Sequence, residues 1–217
     1  MTSLKEAVEQ IYAAFADVPK PKSIDACPCC CDGKNIDTLL SVPLRELRAE
    51  DLASYAFSAF LTVGAKSDYL YYLPRILELS SFDENWWVDP EIVGRGVRTA
   101  EPNSWTIYQR RSLIAFTHSI IKHAMRADES HILNEWLCAV ARMGFPIQDY
   151  LKQIETSRQA VLALFEDNSE SLPHRKLSSA FWELPDLQHD AIVDWFYLDR
   201  IKRIPFEEYG YILQEQK

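Results

Sequence analysis

Glycine is scarce in this chain, six residues in 217, and long alternating runs of β-branched residues are missing. Tight hairpins need glycine-type turns and half-buried strands need alternation, so a β-built fold is excluded. Long apolar runs are missing as well. No stretch approaches the roughly 18 residues that cross a bilayer, and no membrane span is expected. The N-terminal stretch MTSLKEAVEQIYAAFADV has neither a basic leader nor a continuous apolar segment, so it does not read as a signal peptide. The expected location is the cytoplasm, where thiols stay reduced. Positive charge is in deficit: 23 Lys and Arg stand against 32 Asp and Glu, for a net charge of −9. That balance repels a phosphate backbone, so nucleic acid is not an expected partner. Catalytic signatures are also absent. There is no GxxxxGK[ST] and no GxSxG, and Gly94–Arg95–Gly96 lacks a third glycine and a preceding strand.

What the chain has in plenty is apolar residues at helical spacing. Hydrophobic residues make up 47% and aromatics 12%, enough for a core. Ser3 and Glu6 have capping-box spacing ahead of the stripe Leu4, Ala7, Ile11 and Phe15, which predicts a helix over 4–16. A second helix is predicted over 49–63, with Gly64 as its stop. A third starts at Ser67 and is interrupted at Pro74. Residues 81–88 read as a loop, and Asp89–Pro90 as a helix start. Further helices run from Ser104 to about 126, from Glu129–Ser130 to Gly144, over 147–167, and from Pro185–Asp186 and Pro205. Residues 168–175, NSESLPHR, read as a linker. The fold class is all-α, an irregular multi-helix bundle or a short stack of helical hairpins with about eight to ten helices. The expected organisation is a single domain over 1–217, with a weak boundary near 168–175.

Four of the five cysteines, Cys27, Cys29, Cys30 and Cys31, fall within the five positions 27–31. An odd count does not make a full disulfide framework. Zinc usually takes paired cysteines two to four residues apart and completes its tetrahedron from a second pair. Here the spacing is tighter, and no second Cys or His pair follows. A redox CxxC site needs a βαβ context that this chain does not offer. A packed turn of small apolar thiols is the expected reading, and no cofactor is expected. Zinc or iron on Cys27, Cys29 and Cys30 is the alternative, as a metalloprotein or an enzyme. Two Asp-x-x-His pairs, Asp128–His131 and Asp186–His189, offer a second metal reading by analogy with di-iron bundles. Asp at a helix start is ordinarily a cap. His118 and His123 lie about 140° apart on a helix and cannot share one metal face; His118 reads as a core histidine. Arg95, Arg98, Arg110 and Arg111 read as solvated faces.

The order of features over the first third is distinctive. YAAF stands at 12–15, then Pro19 and Pro21, CPCC at 27–30, PLRELRAEDLASYAFSAFLTVG at 43–64 and DYLYYLPRILEL at 68–79. It resembles a family of uncharacterised bacterial proteins with a CPCC turn, a Pro-Leu-x-x-Leu segment and a Tyr/Phe-rich LPRILEL helix. The resemblance covers roughly residues 10–80. It implies a bacterial, cytoplasmic, helical protein in which Cys27, Pro28, Cys29 and Cys30 form a recurring turn. It implies no activity.

The remaining feature is aromatic. Trp86 and Trp87 sit in a predicted loop flanked by Asp83, Glu84, Asp89 and Glu91. Tryptophan is favoured at interface hot spots, and of two adjacent tryptophans one can turn inward while the other stays exposed. Trp86, Trp87, Asp83, Glu84 and Glu91 are therefore the candidate partner-binding residues. Together with the acidic charge, they point to a non-catalytic protein that binds another protein. The concrete version is an immunity or antitoxin-type protein that neutralises a basic toxin, with acidic residues steering association.

Overall fold

The structure is a computed structural model that describes residues 2–27, 35–127, 129–182 and 187–214. Eleven α-helices and no strand are found among the described residues, so the fold is all-α. The chain divides into two compact units, Met1–Ser119 and Ile120–Lys217. The division falls inside a helix and not near 168–175, which belong to the second unit.

In the first unit the helices are α1 (Leu4–Ala14), α2 (Ile36–Ser41), α3 (Ala49–Ser58), α4 (Lys66–Phe82), α5 (Pro90–Thr99) and the first part of α6 (Ile107–Ala124). The capping box on α1 is present: Ser3 Oγ accepts from the Glu6 amide and Glu6 Oε2 accepts from the Ser3 amide. Helix α4 is central and packs on α1, α3 and α5. Its Tyr69, Tyr72, Leu73, Ile76 and Leu77 are all buried, because a helix covered on several sides must be apolar on several sides.

Four details differ from expectation. Helix α3 stops at Ser58, and Phe60 turns the chain at a φ of +64°; Gly64, at +73°, instead lets the chain enter α4 and donates its amide to Asp25 O. Asp68, not Ser67, caps α4 by accepting from the Ala65 amide. Pro74 lies inside an uninterrupted α4: its ring is buried and its neighbours form the core, so packing outweighs the lost backbone bond, a cost of about 3 kcal/mol. At the start of α6, Thr106 and Gln109 cap each other reciprocally, and Ser104 belongs to a preceding 3₁₀ turn.

The second unit holds the rest of α6, α7 (Ser130–Arg142), α8 (Gln148–Ile154), α9 (Arg158–Asn168), α10 (Leu187–Phe196) and α11 (Asp199–Tyr209). Helices α7 and α9 pack together, α11 lies on α9 and α10, and α10 also meets α8. The single helix expected over 147–167 is two, because the Ser157 hydroxyl accepts from the Ala160 amide and restarts the chain as α9. Pro205 sits inside α11, which begins six residues earlier at Asp199.

Glu155, just after α8, ties this unit together. It accepts from the Trp195 indole at 2.6 Å and from Arg200 at 3.0 and 3.2 Å. The Arg200 guanidinium foremost, helped by the indole, holds its carboxyl below the usual range although partial burial pulls upward. A depressed folded pKa means that this stabilisation is present above the unfolded pKa of about 4.3 and is lost as pH falls through the lower folded value. Glu155→Gln is therefore expected to lower stability near neutral pH by about 1 kcal/mol. The gap from wild type should close below about pH 4. Urea midpoints at the two pH values measure it, and a pH-independent gap would show that the carboxylate charge is not what matters.

Candidate functional site

The loop that leaves α4 is built from its own short-range bonds. Asp83 Oδ1 accepts from the Asn85 amide at 2.9 Å and from its side chain at 3.1 Å. The Trp86 amide donates to Asp83 O, and the Trp86 indole donates to Val88 O at 2.9 Å. Val88 is buried and anchors the end of the loop. With Trp86 half-buried over its own backbone, the neighbouring Trp87 turns outward and is 55% exposed. Its ring lies 5.5 Å from that of Phe57, tilted by 44°, and Phe57 is itself 43% exposed. Arg95 Nη2 fixes the end of α3 by donating to Phe57 O at 2.7 Å. The Phe82 ring, at the end of α4, is exposed too.

Of the acidic residues expected around this surface, Glu84 and Asp89 are exposed and Asp83 is half-buried. Glu91 is not on the surface: it is 2% exposed. It occupies the second position of α5 beside Ile92 and Val93, on the face turned to the core, and so contributes no charge to a rim.

A polar chain joins three segments of the same unit. Glu9 takes a two-pronged bond from Arg45, at 2.9 and 2.7 Å. The Arg45 guanidinium stands 3.6 Å above the Tyr12 ring. Tyr12 donates its hydroxyl to Glu78 Oε2 at 2.5 Å, and Arg75 Nη1 donates to the same oxygen at 2.7 Å. Arg75 Nε donates to Leu47 O. Burial, then the neighbouring Glu78 carboxylate, push the Tyr12 phenol far above its ordinary pKa, so it stays a donor. Tyr12 of this polar chain also lines a groove of about 550 Å³ with Phe15, Val18, Leu44, Tyr71 and Pro74. Arg75 and Glu78 line a second groove of about 380 Å³ with residues of the Asp83–Asn85 loop. Sequence reasoning missed this arrangement. Only the i, i+3 pair Arg75–Glu78 is a local signal; the Tyr12–Glu78 bond spans 66 residues.

The metal candidates fare differently. Cys27 is half-buried, and its amide donates to Thr62 O at 2.9 Å, which pairs the chain at Cys27 with the chain after α3. Cys29, Cys30 and Cys31 lie outside the described residues, as do Asp128 and Asp186. His131 faces Glu129 at 3.3 Å and His189 faces Asp190 at 3.0 Å. Among the described residues no group of three or more His, Cys, Asp or Glu is placed to hold a metal ion. Cys138 is buried in α7 and His118 is half-buried on α6. Among the described residues no helix is long and apolar enough to cross a membrane. Comparison with protein-family models, with curated proteins and with solved structures finds no match to this chain.

Proposed function

We propose that this is a non-catalytic protein that works by binding another protein through the surface around Trp87. The observation that carries the reading is the exposed Phe57–Trp87 ring pair, with Phe57 on α3 and Trp87 on a loop fixed by its own hydrogen bonds. A large aromatic kept in water by a rigid frame has its ordering cost met before any partner arrives. Glu84 and Asp89 beside it favour a partner that presents positive charge. The narrower version is an immunity or antitoxin-type protein of the bacterial cytoplasm that neutralises a basic toxin.

Native mass spectrometry of the untagged chain from its own cells gives the partner as a stoichiometric companion. The decisive step uses variants. Trp87→Ser is expected to weaken that complex by roughly 30-fold or more, the 2 kcal/mol of an aromatic hot spot. Glu84→Lys with Asp89→Lys is expected to slow association at low salt and to have little effect at high salt. A complex indifferent to both changes does not use this surface.

A further inference from the structure

We infer that the outer face of α11 is a self-association surface, on which a second copy of this chain lays its own α11 in the antiparallel sense. This surface belongs to the second unit and does not depend on the reading of Trp87.

Helix α11 packs on α9 and α10 and buries Ile201 and Pro205. A helix covered on one side should turn polar residues to the other. Here Phe206 is 53% exposed and Tyr209 51%, and Leu198 just before the helix and Ile212 just after it are exposed as well. Four of the ten exposed large hydrophobic side chains among the described residues thus fall within the one stretch 198–212, which marks a patch and not a scatter of single residues. The patch is held in place from α9. The Tyr209 hydroxyl donates to Glu166, and Arg158 donates to Glu207 at 2.9 Å and to Glu208 at 3.2 Å.

The charges select the occupant. Toward the start of α11, Arg200 is matched by Glu155 and Lys202 by Asp199, each at 3.0 Å, while the exposed Arg203 makes no ion pair among the described residues. In the last turn Glu207 and Glu208 share one guanidinium, that of Arg158. One cation is in excess toward the start and one carboxylate at the end. That order does not serve the helix itself, whose macrodipole favours acids in the first turn and cations in the last. It serves a second α11 running the opposite way. Arg203 and Phe206 share a face at i, i+3 spacing, so a two-fold axis brings each Arg203 toward Glu207 and Glu208 of the other copy, with the Phe206 rings between them. Parallel copies would set like charge on like. Two-fold dimers are also the commonest symmetric assemblies. The net charge of −9 resists association, and a helix of 11 residues spans only about 16 Å, so the dimer is weak and depends on concentration.

Sedimentation equilibrium of the full chain from about 10 to 500 µM tests this, a range suited to an interface below the standard size of about 1,600 Å². The average mass is expected to climb from one chain toward two. Phe206→Ser removes an exposed side chain, so its urea midpoint should match wild type while its mass stays at one chain throughout. Arg203→Glu and Glu207→Arg should each weaken self-association about tenfold, because two symmetry-related contacts turn from attraction to repulsion. An equimolar mixture of those two variants should associate as tightly as wild type, since opposite charges meet again at both ends of the interface. Trp87→Ser should dimerise as wild type does. A one-chain mass at every concentration overturns the inference, as does a Phe206→Ser chain that dimerises normally or a mixture no tighter than its components. If Trp87→Ser abolishes the dimer and Phe206→Ser does not, the second copy sits on the Trp87 surface and the α11 proposal fails. If the chain stays single and Phe206→Ser instead weakens a co-purifying complex, the α11 face belongs to a different protein and the second-copy proposal fails.

Discussion

Gly96→Ala is expected to destabilise the protein by about 1–3 kcal/mol, the cost of forcing extra atoms into a packed core. Helix propensity alone predicts the opposite sign. Gly96 lies inside α5, where alanine should gain about 1 kcal/mol. The neighbour decides the matter. A Cβ at position 96 would stand 2.7 Å from Tyr69 Cζ and 2.9 Å from its Cε2, with the hydroxyl nearer still. The ring has nowhere to go. Tyr69 is buried, its hydroxyl donates to Val93 O at 3.3 Å, and its other side meets the Phe60 ring with centroids 5.0 Å apart. Urea unfolding of the full chain, followed by hydrogen exchange at α4 and α5 amides, gives the sign. Adding Tyr69→Phe to Gly96→Ala removes the closest atom and should recover part of the loss, so the two changes are non-additive. A neutral or stabilising Gly96→Ala would mean that α5 and Tyr69 do not approach as described.

The fold class and the helices with clean caps were legible because their signals are local. Ser3 and Glu6 fix the start of α1 within four residues, and Gly144, with a φ of +88°, ends the α7 segment where the pattern stops. Thr106 and Gln109 carry the same local signal, and Ser104, two residues earlier, is a competing cap type. What could not be read was anything set by distant packing. Pro74 reads as a break because its own chemistry breaks helices, and only the burial of α4 on several sides keeps the helix whole. The same limit applies to the site. Adjacency lets one tryptophan be covered while the other is exposed but does not say which, and the loop's own bonds make Trp86 the half-buried one and Trp87 the exposed one; Glu84 is exposed as a charged loop residue should be. Glu91 reads as surface for the same reason, yet the core face of α5 takes it in. Tyr12, Arg45 and Glu78 carry no sign in sequence of being neighbours, since three separate segments must fold before they meet.

Asn168→Ala is expected to cost about 2–3 kcal/mol and to open the segment after α9, although the sequence around it reads as a linker. Asn168 is 1% exposed. Its Nδ2 donates to Leu164 O at 2.8 Å, and its Oδ1 accepts from the Ser178 amide at 2.9 Å. The Ser178 hydroxyl accepts from Asn134 of α7 at 3.1 Å and reaches Asp167 at 3.2 Å. One side chain thus pins the chain at 178 to the α7–α9 pair, and Leu172 between them is fully buried with its carbonyl accepting from Tyr197. Alanine leaves a part-buried amide and carbonyl without their partner, and the cost follows from that desolvation. Urea midpoints measure the loss. Limited proteolysis locates it: wild type should resist cleavage between 168 and 178, and the variant should be cut there. Asn168→Asp separates shape from charge. It keeps the acceptor for Ser178 but buries a carboxylate beside Asp167, and both burial and like charge raise its folded pKa. A raised carboxylate pKa makes the penalty small below the unfolded value of about 3.9 and larger as pH rises through the folded one. The Asp variant should therefore approach wild type near pH 4 and fall behind at pH 7, while the Ala variant keeps a constant gap. If Asn168→Ala changes neither midpoint nor cleavage, residues 168–175 are the linker that their composition suggests, and the polar network around Asn168 does not hold the second unit together.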